Sequence, residues 1–131
     1  FAHHPTAVRG TIAALAERFA GSRLWAVFEP RTNTTRRAVF QDEYAEAFDQ
    51  ADEVIIAAVD HPERAPQGDR FSAEQLTEDL KHRGISARHV LEVASIVQVV
   101  AREARDGDVV LIMSNGSFGG IHQKLLEALS S

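Results

Sequence analysis

Short, nearly continuous apolar runs alternate along this chain with longer stretches in which apolar residues recur every third or fourth position. The first pattern belongs to strands covered on both faces, the second to amphipathic helices. Pro5 suits the first helical position, and Val8, Ile12, Leu15 and Phe19 follow at helical spacing until Gly21 stops the run. Arg23 to Phe28 reads as a strand that Glu29-Pro30 closes, and a polar loop from Arg31 to Arg36 leads into a helix carrying Tyr44, Ala47 and Phe48. Glu53 to Val59 is a second strand, followed by a loop from Asp60 to Phe71 that contains Pro62, Pro66 and Gly68. Ser72 with Gln75 three residues on forms a capping-box signature for a helix ending near Gly84. A short strand near Ala87 to Leu91, a helix from about Ala94 to Arg105, a buried strand from Asp108 to Met113 and a last helix from Gly120 complete the series.

Strands and helices alternate, which predicts a Rossmann-like α/β fold: a mostly parallel sheet with helices on both faces. No repeat, low-complexity tract or linker divides the chain, so residues 1–131 read as one domain, and 44% apolar content is enough for one core. The first helix begins almost at once, behind Phe1-Ala2-His3-His4-Pro5, with no strand before it. Natural domains rarely begin inside a βα junction, so the expectation is a piece excised from a longer polypeptide. Cysteine is absent, which removes disulfides and thiolate metal sites from consideration. No apolar run approaches the roughly 18 to 20 residues of a membrane span, and no signal-peptide pattern opens the chain. A soluble, cytoplasmic domain without a membrane partner is expected. The net charge of −5 argues against nucleic acid as a partner.

Candidate chemistry gathers where strands end. Val109 to Met113 runs straight into Ser114-Asn115-Gly116-Ser117-Phe118-Gly119-Gly120-Ile121-His122-Gln123-Lys124, a strand, a glycine-rich turn and a helix, the place where open α/β sheets put their ligands. Ser114-Asn115-Gly116 forms a tight turn whatever the function, and its backbone amides and the Asn115 side chain could also meet a ligand. Gly116, Gly119 and Gly120 do not reproduce the dinucleotide fingerprint, and no phosphate loop is present. Phosphoryl transfer depends on groups that hold phosphates and magnesium, so the chain reads as a binding half of an active site with no catalytic residue of its own. His3 and His4 are adjacent and make a poor metal pair, so no metal site is assigned. Arg31, Arg36 and Arg37 form a basic spot in an acidic chain. Solvation is the ordinary fate of such charges, but an Arg beyond a strand's C-terminal end can also grip a carboxylate with two parallel hydrogen bonds. His61, His82 and His89 read as surface residues and His122 as support for the last turn. Trp25 and the phenylalanines at 19, 28, 40 and 48 read as core.

Three segments carry a family resemblance. Phe1-Ala2-His3-His4-Pro5-Thr6, Phe28-Glu29-Pro30-Arg31-Thr32-Asn33-Thr34 and Met113 to Lys124 together resemble the C-terminal domain of the Mur ligase family, the ATP-dependent enzymes that build the peptide stem of bacterial cell wall. The resemblance covers essentially the whole chain. The second segment is similar to the tripeptide-ligase branch, with Thr32 in place of its serine, whereas the L-alanine ligase branch places a His-Arg pair after the equivalent proline. The first is shared with that sibling branch, except that Phe1 replaces the commoner tyrosine, losing a hydroxyl and keeping a stacking face.

The resemblance implies a substrate-binding domain of a bacterial, cytoplasmic ligase of peptidoglycan recycling. Such an enzyme joins the murein tripeptide L-Ala-γ-D-Glu-meso-diaminopimelate to UDP-N-acetylmuramate. ATP and Mg2+ would be held mainly by a central domain absent from this chain, with an N-terminal domain also missing, and the fragment alone would be inactive. In the family the first segment follows a strand ending in acidic residues, one of them implicated in holding the ATP ribose. With the resemblance, Phe1, His3 and His4 are expected to contact nucleotide, and the strand-end segments are expected to contact the amine substrate through Arg31, Asn33, Thr34, Ser114, Asn115 and Gly116. Two other readings stay open: an L-alanine ligase domain, and a stand-alone, non-enzymatic α/β module that binds an anion or a partner protein.

Overall fold

A computed structural model describes residues 5–29, 41–57, 73–113 and 120–130. In chain order these form α1 (Pro5–Arg18), β1 (Leu24–Phe28), α2 (Gln41–Ala47), β2 (Glu53–Ile56), α3 (Ala73–His82), β3 (Ser86–His89), α4 (Val93–Glu103), β4 (Val109–Met113) and α5 (Ile121–Ser130). The four strands make one parallel sheet in the order β3-β2-β1-β4.

Because successive strand residues point to opposite faces, each strand feeds two cores. Leu24, Ala26, Phe28, Val54, Ile56 and Ala87 face one way and pack with Val8 and Ile12 of α1, Tyr44 of α2, Phe48, and Leu76 and Leu80 of α3. Trp25, Val27, Ile55 and Ala57 face the other way, against Ile96 and Val100 of α4 and Ile121 and Leu125 of α5. Helices therefore cover both faces, as the alternating pattern predicts. The Phe28 ring lies 5.5 Å from that of Tyr44 and 5.6 Å from that of Phe48, so one aromatic knot joins β1 to the α2 layer. Gly84 ends the α3 turn with φ of 84°, a conformation that lets the Ile85 N–H donate back to the Leu80 carbonyl at 3.0 Å.

The structure corrects several expectations. The run Val109 to Ile112 is only half-buried, because among the described residues β4 stands at the edge of the sheet and is not covered all round. The second strand ends at Ile56, with Ala57 still donating its N–H to the Phe28 carbonyl at 2.9 Å, and Val59 lies outside the described residues. The third strand comes earlier than expected, at Ser86–His89, and α4 spans Val93–Glu103. Phe19 is 39% exposed: α1 stops at Arg18, and Phe19 sits in the turn beyond it with the Arg18 guanidinium 5.5 Å from its ring centre. Trp25, Phe28 and Phe48 are core, as expected, while Phe40 and the Ser72 cap lie outside the described residues.

Candidate functional site

The four strands finish in a single row. Register pairs Met113 with Phe28, Phe28 with Ile56, and Ile56 with His89, so these residues stand side by side across the C-terminal edge of the sheet. Backbone bonds tie the row together: Glu29 N–H to Met113 O at 2.9 Å, Ala57 N–H to Phe28 O at 2.9 Å, and Val90 N–H to Ile56 O at 3.0 Å. Phe28, Ile56 and Met113 are fully buried, which makes the edge a fixed apolar floor.

The connections give this edge its meaning. From β1 the chain steps outward to β2 and β3, then returns across the sheet to place β4 on the other side of β1. Strand order reverses between β1 and β4, and open α/β sheets bind ligands in the crevice at that reversal. Residue 30 follows Glu29 and residue 114 follows Met113, so the two motif-bearing segments leave the sheet from neighbouring, hydrogen-bonded positions. Helix α1 reaches the same edge. Its 14 residues span about 21 Å, comparable to the length of a strand, and its C-terminal end lies only a short turn ahead of β1. Its first turn at Pro5 is therefore carried back to the C-terminal edge.

All nine candidate contacts, Phe1, His3, His4, Arg31, Asn33, Thr34, Ser114, Asn115 and Gly116, lie outside the described residues. The structure describes their anchors, Pro5, Glu29, Met113 and Gly120, of which Gly120 has φ of 72° at the start of α5. Beside Pro5, between α1 and α2, an open cleft of about 260 Å3 is lined by Pro5, Thr6, Arg9, Glu43 and Glu46. One guanidinium between two carboxylates suits a polar group carrying both donors and acceptors. Linear patterning gives no signal for this cleft, because its charged residues occupy helix positions that read as solvated surface.

His89 departs from its surface assignment. It shares a face of β3 with Ala87, is half-buried, and its Nε2 is shielded from solvent with no hydrogen-bond partner among the described residues. Period-two alternation from Ala87 would have found it. His82 and His122 are exposed, and His61 lies outside the described residues.

At the opposite edge of the sheet stands a charge cluster that the sequence did not disclose. One Asp108 oxygen accepts from Arg23 Nε at 3.0 Å, Arg23 Nη2 at 2.8 Å, Trp25 Nε1 at 2.9 Å and the Arg105 N–H at 3.0 Å. Burial pushes the Asp108 carboxyl up, but the bonds from Arg23, the Arg105 backbone and Trp25, with the Arg23 charge, outweigh it and hold the group at about 2. Arg88 forks onto Glu103 with bonds of 2.6 and 2.5 Å, and those bonds lower the Glu103 pKa. Glu53 lies 3.9 Å from both Arg23 and Arg88 and accepts from Ser86 Oγ at 2.8 Å. With every charge answered, this edge has the chemistry of a fastener. Among the described residues no three His, Asp or Glu side chains come together as metal ligands, and no helix is long and apolar enough to cross a membrane.

Known proteins are similar to this chain along essentially its whole length. The family described as "Mur ligase, glutamate ligase domain" matches residues 1–116. The chain is 39% identical over 131 residues to UDP-N-acetylmuramate–L-alanyl-gamma-D-glutamyl-meso-2,6-diaminoheptandioate ligase of Escherichia coli, covering 99% of this chain and 26% of that protein. It is 31% identical over 126 residues to UDP-N-acetylmuramate–L-alanine ligase of Desulfitobacterium hafniense, covering 96% of this chain and 28% of that protein. The crystal structure of a murein peptide ligase from Psychrobacter arcticus superposes with a TM-score of 0.81 at 34% identity, covering all of this chain and 26% of that one. The chain thus spans about a quarter of the length of these relatives.

Proposed function

The chain belongs to the Mur ligase family as its C-terminal, glutamate ligase domain, and from that premise we propose that it presents the amine substrate in an ATP-dependent peptide ligase. The reaction is the joining of L-Ala-γ-D-Glu-meso-diaminopimelate to UDP-N-acetylmuramate, in the bacterial cytoplasm, as part of peptidoglycan recycling. The observation that carries this reading is the adjacency of β1 and β4 at the reversal of strand order, from which the Glu29-Pro30-Arg31 and Met113-Ser114-Asn115 segments depart side by side.

Each segment has a distinct task. Arg31, with Asn33 and Thr34, grips the carboxylates that a peptide ending in diaminopimelate offers, since a guanidinium matches a carboxylate with two parallel bonds. Ser114, Asn115 and Gly116 hold the far side of the same crevice and orient the L-alanyl amine toward the muramoyl carbonyl carbon. Phe1, His3 and His4, ahead of the first turn of α1, contact the nucleotide, where helix N–H groups favour an anion. ATP with Mg2+, held mainly by the central domain, supplies the phosphoryl group that activates the muramoyl carboxylate. This domain binds, orients and, on closing over the central domain, excludes water, so the complete site exists only in the closed state. The 131-residue chain alone has no ligase activity.

The test is a competition in the full-length enzyme between tripeptide and free L-alanine as amine donor, with UDP-N-acetylmuramate and ATP held constant. Preference for the tripeptide, lost on Arg31→Ala while the ATP KM stays put, is the expected result. Preference for L-alanine would assign the chain to the sibling branch represented by the Desulfitobacterium relative. Absence of any ATP-dependent ligation would favour a non-enzymatic binding module.

A further inference from the structure

Charged side chains in this domain meet two different fates. Around Asp108 and Glu103 each is taken up by a partner. In the cleft between α1 and α2 they are not. Arg9, Glu43 and Glu46 line it together with Pro5 and Thr6, and none of these three charged groups has an ion pair or side-chain hydrogen bond among the described residues. Asp49 and Arg83, whose fields reach Arg9 and Glu46, are bonded to each other at 2.8 and 2.6 Å. Arg9 therefore keeps its donors, and the two glutamates keep their acceptors.

Helical spacing explains why these groups converge. Arg9 stands four residues beyond Pro5 and three beyond Thr6, so the three share one stripe of α1. On α2, Glu43 and Glu46 are one turn apart on the exposed side, while Tyr44, Ala45 and Ala47 are buried. Like charges at such spacing repel, and a bound cation would relieve them.

The lining also says what fits. A guanidinium offers paired N–H groups to a carboxylate, and two carboxylates offer acceptors to an ammonium with three donors. With one positive and two negative charges, the cleft repels a phosphate dianion, and the guanidinium opposes a bare metal ion. Its volume of about 260 Å3 falls below the roughly 300–1,000 Å3 of a site that encloses a whole small molecule, so it suits the end of one. A ligand end with an ammonium and a carboxylate on one carbon meets all these conditions.

We propose that the α1–α2 cleft is a subsite for such a zwitterionic amino-acid end. On the ligase reading, on which this rests, the ligand is the free tip of diaminopimelate, at the far end of the tripeptide from the reacting L-alanyl amine. Arg9 takes the tip's carboxylate, and Glu43 and Glu46 take its ammonium. Arg31 is left with the carboxylates nearer the peptide backbone. The cleft opens beside Pro5, at the end of α1 that returns to the C-terminal edge of the sheet.

Calorimetric titration of the full-length protein with three tripeptides tests the proposal. One ends in meso-diaminopimelate, one in lysine, which lacks the tip carboxylate, and one in 2-aminopimelate, which lacks the tip amine. The wild type is expected to bind the first about 10-fold more tightly than either of the others. Arg9→Gln should abolish the preference over the lysine peptide, and Glu43→Gln with Glu46→Gln the preference over the aminopimelate peptide. A wild type that binds all three equally, or none, overturns the proposal. So does either variant if it keeps the preference assigned to it, or if it weakens all three peptides alike. Selective binding in a protein without ATP-dependent ligation would support the subsite and count against the ligase reading. Ligation without that selectivity would do the converse.

Discussion

The two ends of the sheet solve opposite problems. At the N-terminal edge, Arg23, Glu53, Ser86, Arg88, Glu103 and Asp108 form a closed set of charges and hydrogen bonds, with Trp25 turned into it. At the C-terminal edge the floor is apolar, Met113, Phe28 and Ile56 in a row, and from Glu29 and Met113 the chain continues into the polar motifs. A cluster of charges with shifted titration would ordinarily attract attention as a candidate active site. Here it is the fastener, because every charge in it already has a partner and none is left to meet a ligand. The end with the plainer electrostatics has the topology for binding: strand order reverses there, and the segments bearing Arg31 and Asn115 depart from it.

That contrast makes perturbations separable. The largest effect is expected from Arg31→Ala in the full-length enzyme. Tripeptide kcat/KM should fall about 100-fold, the loss of a bidentate charged contact, while Tm and the ATP KM barely move. A drop in Tm with unaltered tripeptide kinetics would put Arg31 on the structural side of the comparison. Asp108→Ala should do the reverse. Leaving Arg23 and Trp25 without their shared acceptor should lower Tm by several degrees, with steady-state constants unchanged at temperatures where the variant is folded.

Acid titration sharpens the same point. Asp108 ionises near 4 when unfolded and at about 2 when folded, so between those values the unfolded chain binds more protons. The stabilisation is fully present above about pH 4 and is lost as the pH falls toward 2. Asp108→Asn should be less stable at neutral pH and show a shallower decline across that window in denaturant unfolding curves. An unchanged slope would mean that other carboxylates govern acid unfolding. The smallest effect belongs to Arg83, whose fork onto Asp49 at 2.8 and 2.6 Å is geometrically good but exposed on both sides. Arg83→Ala should move Tm by no more than about 1–2 °C, and thermal melts in high salt should erase even that.

Much of the fold was legible because burial writes itself into periodicity. Leu24 to Phe28 and Val54 to Ile56 are apolar on both parities because both strands lie inside the sheet with helices on each side. The same reasoning failed for Val109 to Met113. A strand at the edge of a sheet can have the same composition as one at its centre, and periodicity cannot tell which neighbours are present. The order of the strands was equally silent, since alternation predicts a parallel sheet without saying where the chain doubles back. The Asp108 cluster joins residues up to 85 positions apart, and no local pattern marks such a pair. At the candidate site the motifs spoke through resemblance, and the structure added what they could not: that Glu29 and Met113, from which two of the motifs continue, are hydrogen-bonded neighbours.

The pairing of β1 with β4 also sets the order in which the domain can come into being. Helix α2, β2, α3 and β3 follow β1 directly and can assemble on it as the chain emerges, but β4 closes a span of 85 residues between Arg23 and Asp108 before its contacts repay the loop entropy. Until then one flank of β1 stands bare, the Arg23 guanidinium has no Asp108 to hold, and the crevice at the strand reversal has only one wall. The candidate ledge is thus among the last features of the domain to exist, and a nascent chain stalled short of Met113 would carry a sheet but no candidate site.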